Sequence, residues 1–343
     1  MGGKISNYQS NAFKNYLRIK PFFLELIQKD NTLVSDYWAE EMTGFDYMFD
    51  APPSIINNLR NHCYHITGEF SYKYRSHHNY NSNKLKSKLD LLSTLINPDS
   101  IISEPKELGG FGYDFGGSFY NLDTLKYIEC IIALNKSGIM NYLNNQINPI
   151  ICEIGAGWGG FTYQMSNLIK NSKYLIVDLP HTLIFSYIYL SELFPNKKVK
   201  LFNYESTSLE DCDFLLIPNF EFNNYKSKID ATINICSFQE MKSDQILNYV
   251  EKVYDLKSNF IYSLNRDLNF NNPSLTRPVT EDLSKKYALN EIKLLDIPYN
   301  DLNVSNNIKS NKALLKNYVK KILKKENLNK NYAYRHFYGE IIK

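Results

Sequence analysis

Apolar positions in the first hundred residues fall at helical spacing. Phe22, Phe23, Leu26 and Ile27 share one side of a predicted helix, Leu85, Leu89, Leu92, Leu95 and Ile96 repeat the pattern, and no β-α alternation is visible there. Helix breakers then gather at Gly109, Gly110, Gly112, Gly116 and Gly117, a stretch too rich in glycine for an element interior, which predicts a loop. A helix over about 121–136 follows, with Asn121 or Asp123 near its cap. From Pro149 onward, short apolar runs alternate with helical stretches, the pattern of a mostly parallel sheet covered on both faces. The predicted strands are 150–154, 174–177, 199–202, 214–217, 231–236 and 260–264, with 291–297 and 336–342 closing the sheet edge. The expected fold is therefore α/β and Rossmann-like. A mainly helical region over 1–104 and a glycine-rich loop with a helix over 105–148 lead into the catalytic core over 149–343. No internal repeat is evident.

The strand over 150–154 runs straight into Gly155-Ala156-Gly157-Trp158-Gly159-Gly160 and then into a helical run over 161–169. Glycines at such a bend let the backbone pass close beneath a ligand where a side chain would collide. The next strand ends at Asp178, 25 residues after Glu153, where a carboxylate can accept both hydroxyls of a ribose. Each piece alone has a bland explanation: a glycine turn is often a tight connection, and Asp178 before Pro180 can be a helix cap. Together, and in this order, they predict a nucleoside-cofactor site. Gly155, Gly157 and Gly160 also satisfy the dinucleotide fingerprint, so a nicotinamide-dependent oxidoreductase stays open. A pyrophosphate is poorly served by Glu153, two residues before the first glycine, whereas S-adenosylmethionine brings an ammonium and a sulfonium that suit it. About 150 residues also precede this motif, and a dinucleotide domain more commonly opens its chain.

Composition narrows the class. The 343 residues are 43% hydrophobic and 22% charged, which fits a folded protein of two domains, or of one with a large extension. The formal charge of +3 comes mostly from lysine, with only six arginines, so nucleic-acid binding is not indicated. The basic cluster from Lys316 to Lys325 reads as a solvated helix face opposite Leu315, Val319 and Ile322. Five scattered cysteines with no C-x-x-C pair argue against a disulfide framework and a zinc site, and for a reducing compartment. No signal peptide and no apolar run of membrane-spanning length occurs, so a cytoplasmic location is expected. Met1-Gly2 with Ser6 fits a myristoylation pattern only formally.

Three segments carry a family resemblance: Glu153 to Gly160; Val177-Asp178-Leu179-Pro180 with the downstream Tyr189 to Pro195; and Ile233 to Met241. They resemble the sugar O-methyltransferases encoded in bacterial polysaccharide and antibiotic-sugar gene clusters, over roughly residues 105 to 270. The glycine motif is general to class I methyltransferases; the other two segments point to the sugar family. The resemblance implies a class I fold, S-adenosylmethionine as methyl donor and a sugar hydroxyl as acceptor, plausibly on a nucleotide-activated sugar for surface polysaccharide.

Expected cofactor contacts are Glu153, Gly155, Gly157, Gly159, Gly160, Asp178 and Ser237, with Gly117 from the loop over 109–120, which is expected to cover the cofactor together with the N-terminal helices. Ser237 to Met241 lies just beyond the strand over 231–236, at the sheet edge where ligands sit in open α/β folds, and this places Glu240 to face the transferring methyl. Its alternative is a helix N-terminal acid with no chemistry. Asn265, Arg266 and Asp267 follow another strand. Gln239, Asn265 and Arg266 are read as acceptor contacts, Arg266 as a clamp for phosphate or sugar hydroxyls or else a surface ion pair. A sugar hydroxyl needs a base, for which Glu240 comes first, then Asp267 and one of His62, His65, His77 or His78. The spacing of His62 and His65 could hold a metal, but no carboxylate completes a motif and none is expected. An inactive methyltransferase-like binding protein is the remaining alternative, and the oligomeric state is open.

Overall fold

The computed structural model describes residues 10–30, 34–75, 79–295 and 331–342. His77, His78, the Lys316 to Lys325 cluster and the Met1 to Ser6 pattern lie outside the described residues. The N-terminal part contains α1 (Asn11–Lys29), α2 (Asp36–Thr43), α3 (Pro53–Ile56), α4 (Tyr64–Thr67) and α5 (Asn79–Ser93). In α1, Ala12, Tyr16, Ile19, Phe23 and Leu26 form the buried stripe, at alternating steps of four and three that keep one helix face on the core. Phe22 and Ile27 flank that stripe, partly buried.

The glycine-dense stretch folds into a small antiparallel hairpin of β1 (Tyr113–Phe115) and β2 (Ser118–Tyr120), not a plain loop. It leads into α6 (Leu122–Lys136), where Asn121 is the cap: its side chain accepts from Thr124 N at 2.9 Å while the Thr124 hydroxyl accepts from Asn121 N. The short α7 (Ile139–Asn144) precedes the sheet.

The sheet is built from β3 (Ile150–Ile154), β4 (Lys173–Asp178), β5 (Val199–Leu201), β6 (Phe214–Pro218), β7 (Ala231–Ile235), β8 (Phe260–Asn265), β9 (Tyr287–Ile292) and β10 (Arg335–Ile341), in the order β5-β6-β4-β3-β7-β8-β10-β9. The first six are parallel; β10 runs antiparallel between β8 and β9. The sequence pattern places the last two strands at the edge, whereas β10 is interior. β9 also begins earlier than expected, because its register with β10 runs from Tyr287 opposite Ile341 to Ile292 opposite His336. Helices α8 (Gly160–Leu168), α9 (Pro180–Leu193), α10 (Ser243–Asp255) and α11 (Val279–Ser284) complete the cover.

Strand periodicity divides the interior between the two sheet faces. Ile151, Ile176, Leu216 and Ile233 belong to the core formed with α6, α7, α8 and α9, to which α1 adds its buried stripe. Cys152, Leu175, Leu215 and Ile261 meet α10 and α11. α9 is buried along Pro180 to Leu190 because α1 packs on its outer side. α1 and α3 thus share one core with the sheet, whereas Leu85, Leu89 and Leu92 of α5 pack with Leu125, Ile128 and Ile132 of α6 and Tyr113 of the hairpin in a separate cluster. Strand order reverses at β3, whose neighbours are β4 on one side and β7 on the other, so a crevice opens beyond the carboxyl ends of these three strands.

Candidate active site

A cavity of about 570 Å³ occupies this crevice. Its floor is made by strand ends: Glu153 and Gly155 from β3, Asp178 from β4, Asn219 after β6, and Cys236 and Ser237 after β7. Its roof comes from the N-terminal part, with Ser35, Tyr37, Trp38 and Glu41 around α2 and Tyr64, His65, Ile66 and Phe70 around α4. α6 supplies Lys126 and Tyr127 to the wall.

Glu153 shares a strand face with Ile151 and is 3% exposed, accepting a hydrogen bond from the Thr162 hydroxyl on α8. Burial pushes its carboxyl up to about 7; Thr162 opposes the shift and the charge of Asp178 adds to it. The backbone after it turns through left-handed conformations at Gly155 (φ 71°) and Gly157 (φ 59°). A Cβ on Gly155 would lie 1.9 Å from Ser237 Oγ, and one on Gly157 would lie 2.6 Å from Ile66, so side chains are excluded at both.

Asp178 faces the turn. Its Oδ2 accepts from Gly157 N at 2.6 Å and its Oδ1 from Leu179 N at 2.7 Å, which fixes the carboxylate while each oxygen keeps a second lone pair for a ligand. Burial raises it to about 6, with Thr182, Gly157 and Leu179 pulling the other way. Glu240 closes the opposite side: Trp38 Nε1 donates to its Oε2 at 3.1 Å and Ser35 Oγ donates to its carbonyl at 2.6 Å. Burial pushes this carboxyl up to about 8, with the Trp38 bond pulling the other way. Beside it His65 Nδ1 lies 3.2 Å from Glu41 Oε2, and the ring of Tyr64 stacks on Phe70 with centroids 5.0 Å apart.

Of the residues expected from sequence, Glu153, Gly155, Gly157, Asp178, Ser237, Glu240 and His65 line this cavity together. The others do not. Gly159 packs toward Ser186 and Leu190 of α9, and a Cβ on Gly160 would meet the Trp158 ring and the Tyr127 hydroxyl, so both serve helix packing. Gly117 is the hairpin turn, its N–H donating to Asp114, and no residue of the stretch 109–120 reaches the cavity. Of the two covers expected, the N-terminal part reaches the cavity and the stretch 109–120 does not, among the described residues. His62 Nδ1 sits 3.1 Å from the Tyr47 hydroxyl, outside the lining, and burial lowers its pKa.

Asp267 is consumed structurally: it pairs with Arg335 of β10, and its Oδ1 accepts from Thr280 N. Gln239 and Asn265 form a scaffold beneath the floor. Asn265 donates to Asn234 Oδ1 and accepts from Gln239 N, Gln239 Oε1 accepts from Arg266 N, and Asn234 in turn donates to Ile154 O. Arg266 lies over the Tyr334 ring at 4.4 Å, one ring removed from the cavity that Tyr334 lines.

Sequence reasoning missed Lys126, Trp38 and the Glu41–His65 pair. Only Lys126 left a trace, as a lysine amid the apolar run Leu125, Tyr127, Ile128. Among the described residues no group of three or more His, Cys, Asp or Glu is placed to hold a metal, and no helix is long and apolar enough to cross a membrane.

No family model matches the sequence, and no curated protein matches it. Solved structures do align with it. Precorrin-6y C5,15-methyltransferase from Geobacter metallireducens is 17% identical over 46% of this chain and 72% of its own, with a TM-score of 0.31. Phosphoethanolamine N-methyltransferase 2 from Haemonchus contortus, in complex with S-adenosyl-L-methionine, is 10% identical over 79% and 59%, with a TM-score of 0.36. A SAM-dependent methyltransferase from Aquifex aeolicus is 9% identical over 65% and 100%, with a TM-score of 0.33. All three are methyltransferases. The α/β class of this chain rests on its own strand order, with the mostly parallel sheet covered by helices on both faces.

Proposed function

We propose that this chain is an S-adenosylmethionine-dependent O-methyltransferase acting on a sugar hydroxyl. The observation that carries the cofactor reading is the charge of the cavity: Glu153, Asp178 and Glu240 converge on one space at the strand-order reversal, beside a turn from which side chains are excluded. A ligand with a sulfonium and an ammonium favours the ionised form of these three acids, which burial opposes. A dinucleotide pyrophosphate would instead bring negative charge beside them, which disfavours the oxidoreductase alternative. Glu153 would hold the ammonium and Asp178 the ribose hydroxyls. The bound cofactor supplies a methyl group already activated for in-line displacement.

The protein's task is then alignment of the acceptor and removal of its proton. Tyr37, Trp38, Tyr64 and Phe70 give the roof aromatic faces suited to a sugar ring. Two groups there can take a proton. Glu240 is held by Trp38, and a positive charge entering the cavity favours its carboxylate form; His65 is steadied by Glu41. The sugar assignment rests on two of the sequence segments, Val177 to Pro180 with Tyr189 to Pro195, and Ile233 to Met241. Among the described lining residues, Lys126 and His65 are the basic ones against Glu41, Glu153, Asp178 and Glu240, a balance that favours an uncharged sugar over a nucleotide-linked one.

Titration calorimetry with S-adenosylmethionine and its demethylated product tests the cofactor reading. Wild type should bind both, and Asp178→Ala should lose at least about tenfold, the usual cost of a charge-assisted hydrogen bond. Binding of NADH in their place would overturn it. A mass-spectrometric screen of free and nucleotide-linked sugars tests the acceptor, and methylation of phenols or proteins with every sugar refused would remove the sugar reading.

A further inference from the structure

We propose that Lys126 anchors the carboxylate of the amino-acid portion of the cofactor, opposite Glu153, which takes its ammonium. This rests on the cofactor reading above and adds the positive charge which that reading lacks.

α6 is an unusual place for a lysine. From Asp123 to Leu134 its side chains are buried, and lysines are almost never found in such surroundings without a partner. Lys126 Nζ lies 3.0 Å from Asp123 Oδ1, one turn back on the same helix, and its side chain lines the cavity. The adjacent Tyr127 packs against the start of the glycine turn, its ring 5.6 Å from that of Phe161 and its hydroxyl where a Cβ on Gly160 would fall. Lys126 and Tyr127 thus line the cavity side by side, and the charge of Lys126 is felt by Glu153, Glu240 and Cys236.

Asp123 does not serve Lys126 alone. Its Oδ2 accepts from Arg60 Nη2 at 2.6 Å, and Arg60 Nε donates to Glu104 at 2.7 Å. This arrangement fixes the lysine stem and keeps the ammonium charged: burial works against the charge, and Asp123 together with Tyr127 and Cys236 outweighs it. Among the described lining residues Lys126 is the sole lysine or arginine, and Glu153, which feels its charge, lines the same cavity. A zwitterion is the ligand that such a pair complements. A lone phosphate would meet the cation but also Glu153, with no ammonium to neutralise the acid.

The test compares S-adenosylmethionine with its decarboxylated analogue, which keeps sulfonium, ammonium and nucleoside but lacks the carboxylate. Calorimetry on wild type, Lys126→Met and Lys126→Arg reads the preference between the two ligands. Wild type should favour the carboxylate-bearing ligand by about 10- to 100-fold. Lys126→Met should bring that preference near unity by weakening S-adenosylmethionine while leaving the analogue as tightly bound, and Lys126→Arg should restore part of it. Wild type binding both ligands alike overturns the assignment without any variant. So does Lys126→Met retaining the preference, or losing both ligands equally, which would make Lys126 a support of the site. If wild type binds neither ligand, the cofactor reading itself falls and the anchor with it.

Discussion

Burial pushes Asp178, Glu153 and Glu240 up to about 6, 7 and 8, so near neutral pH these acids together retain protons that exposed carboxyls would have lost. A carboxyl raised on folding stabilises fully below its ordinary value, and that contribution is lost as pH rises through the raised one. The empty protein should therefore lose melting temperature between about pH 5 and 8.5, by differential scanning calorimetry. A cationic ligand prefers the ionised acids, so S-adenosylmethionine affinity should rise across pH 6 to 8, up to about tenfold per pH unit for each proton released. The neutral thioether product should show a shallower rise, and flat profiles for both would mean the acids do not face the cofactor. With an acceptor in hand, Glu240→Gln should lower turnover by about 10² to 10⁴-fold while cofactor affinity persists, and turnover at the wild-type rate would shift the base to His65. Glu153, Asp178 and Glu240 were legible because each sits at or just past a strand's carboxyl end, where chain order alone predicts the ligand edge. Asp267 and Arg266 share that position, but Arg335 and Tyr334, about 70 residues later, claim them.

The turn from β3 into α8 is tied to the end of β7. Gly155 and Ser237 touch so closely that Gly155→Ala should cost the left-handed strain of about 1–2 kcal/mol and a collision besides, lowering the urea midpoint and cofactor affinity together. Gly117→Ala is the control: its φ is also positive, but nothing lies within 4 Å of the added Cβ, so only strain is expected and binding should be unchanged. Loss of binding in the Gly117 variant would restore the hairpin to the site. The parallel strands β3 to β8 were read nearly to the residue, because strands buried on both faces are continuous apolar runs. β9 was misplaced for the opposite reason. As an edge strand it alternates buried Tyr287 with exposed positions, and only its pairing with β10 sets its limits. The hairpin was hidden because glycine-rich turns and two three-residue strands leave almost no periodic signal.

At the scale of the molecule, one guanidinium joins the N-terminal helices to the glycine turn. Arg60 is fully buried, stacked 4.0 Å over Trp158 and 4.7 Å over Phe111, and bound to Glu104 and Asp123. Breaking such a pair strands buried carboxylates, so Arg60→Met should cost about 3–5 kcal/mol in urea unfolding. A loss under about 1 kcal/mol would show that Trp158 and Phe111 close over the gap unaided. This joint could not be read from sequence, since Arg60, Glu104, Asp123 and Trp158 share no spacing that marks them as neighbours. The placement of β10 has a different consequence, in time. Among the described strands β9 pairs with β10 alone, and β10 must enter between β9 and β8, so during synthesis the described sheet is not extended past β8 until residue 341 has been made. The interval from Asn265 to Ile341 is 76 residues, roughly 4–15 s at a typical rate of about 5–20 residues per second. For that time Ile261, Tyr262 and Leu264 stand on an open, apolar strand edge. The nascent chain is then most exposed to wrong partners when the cavity at the strand ends is already nearly built.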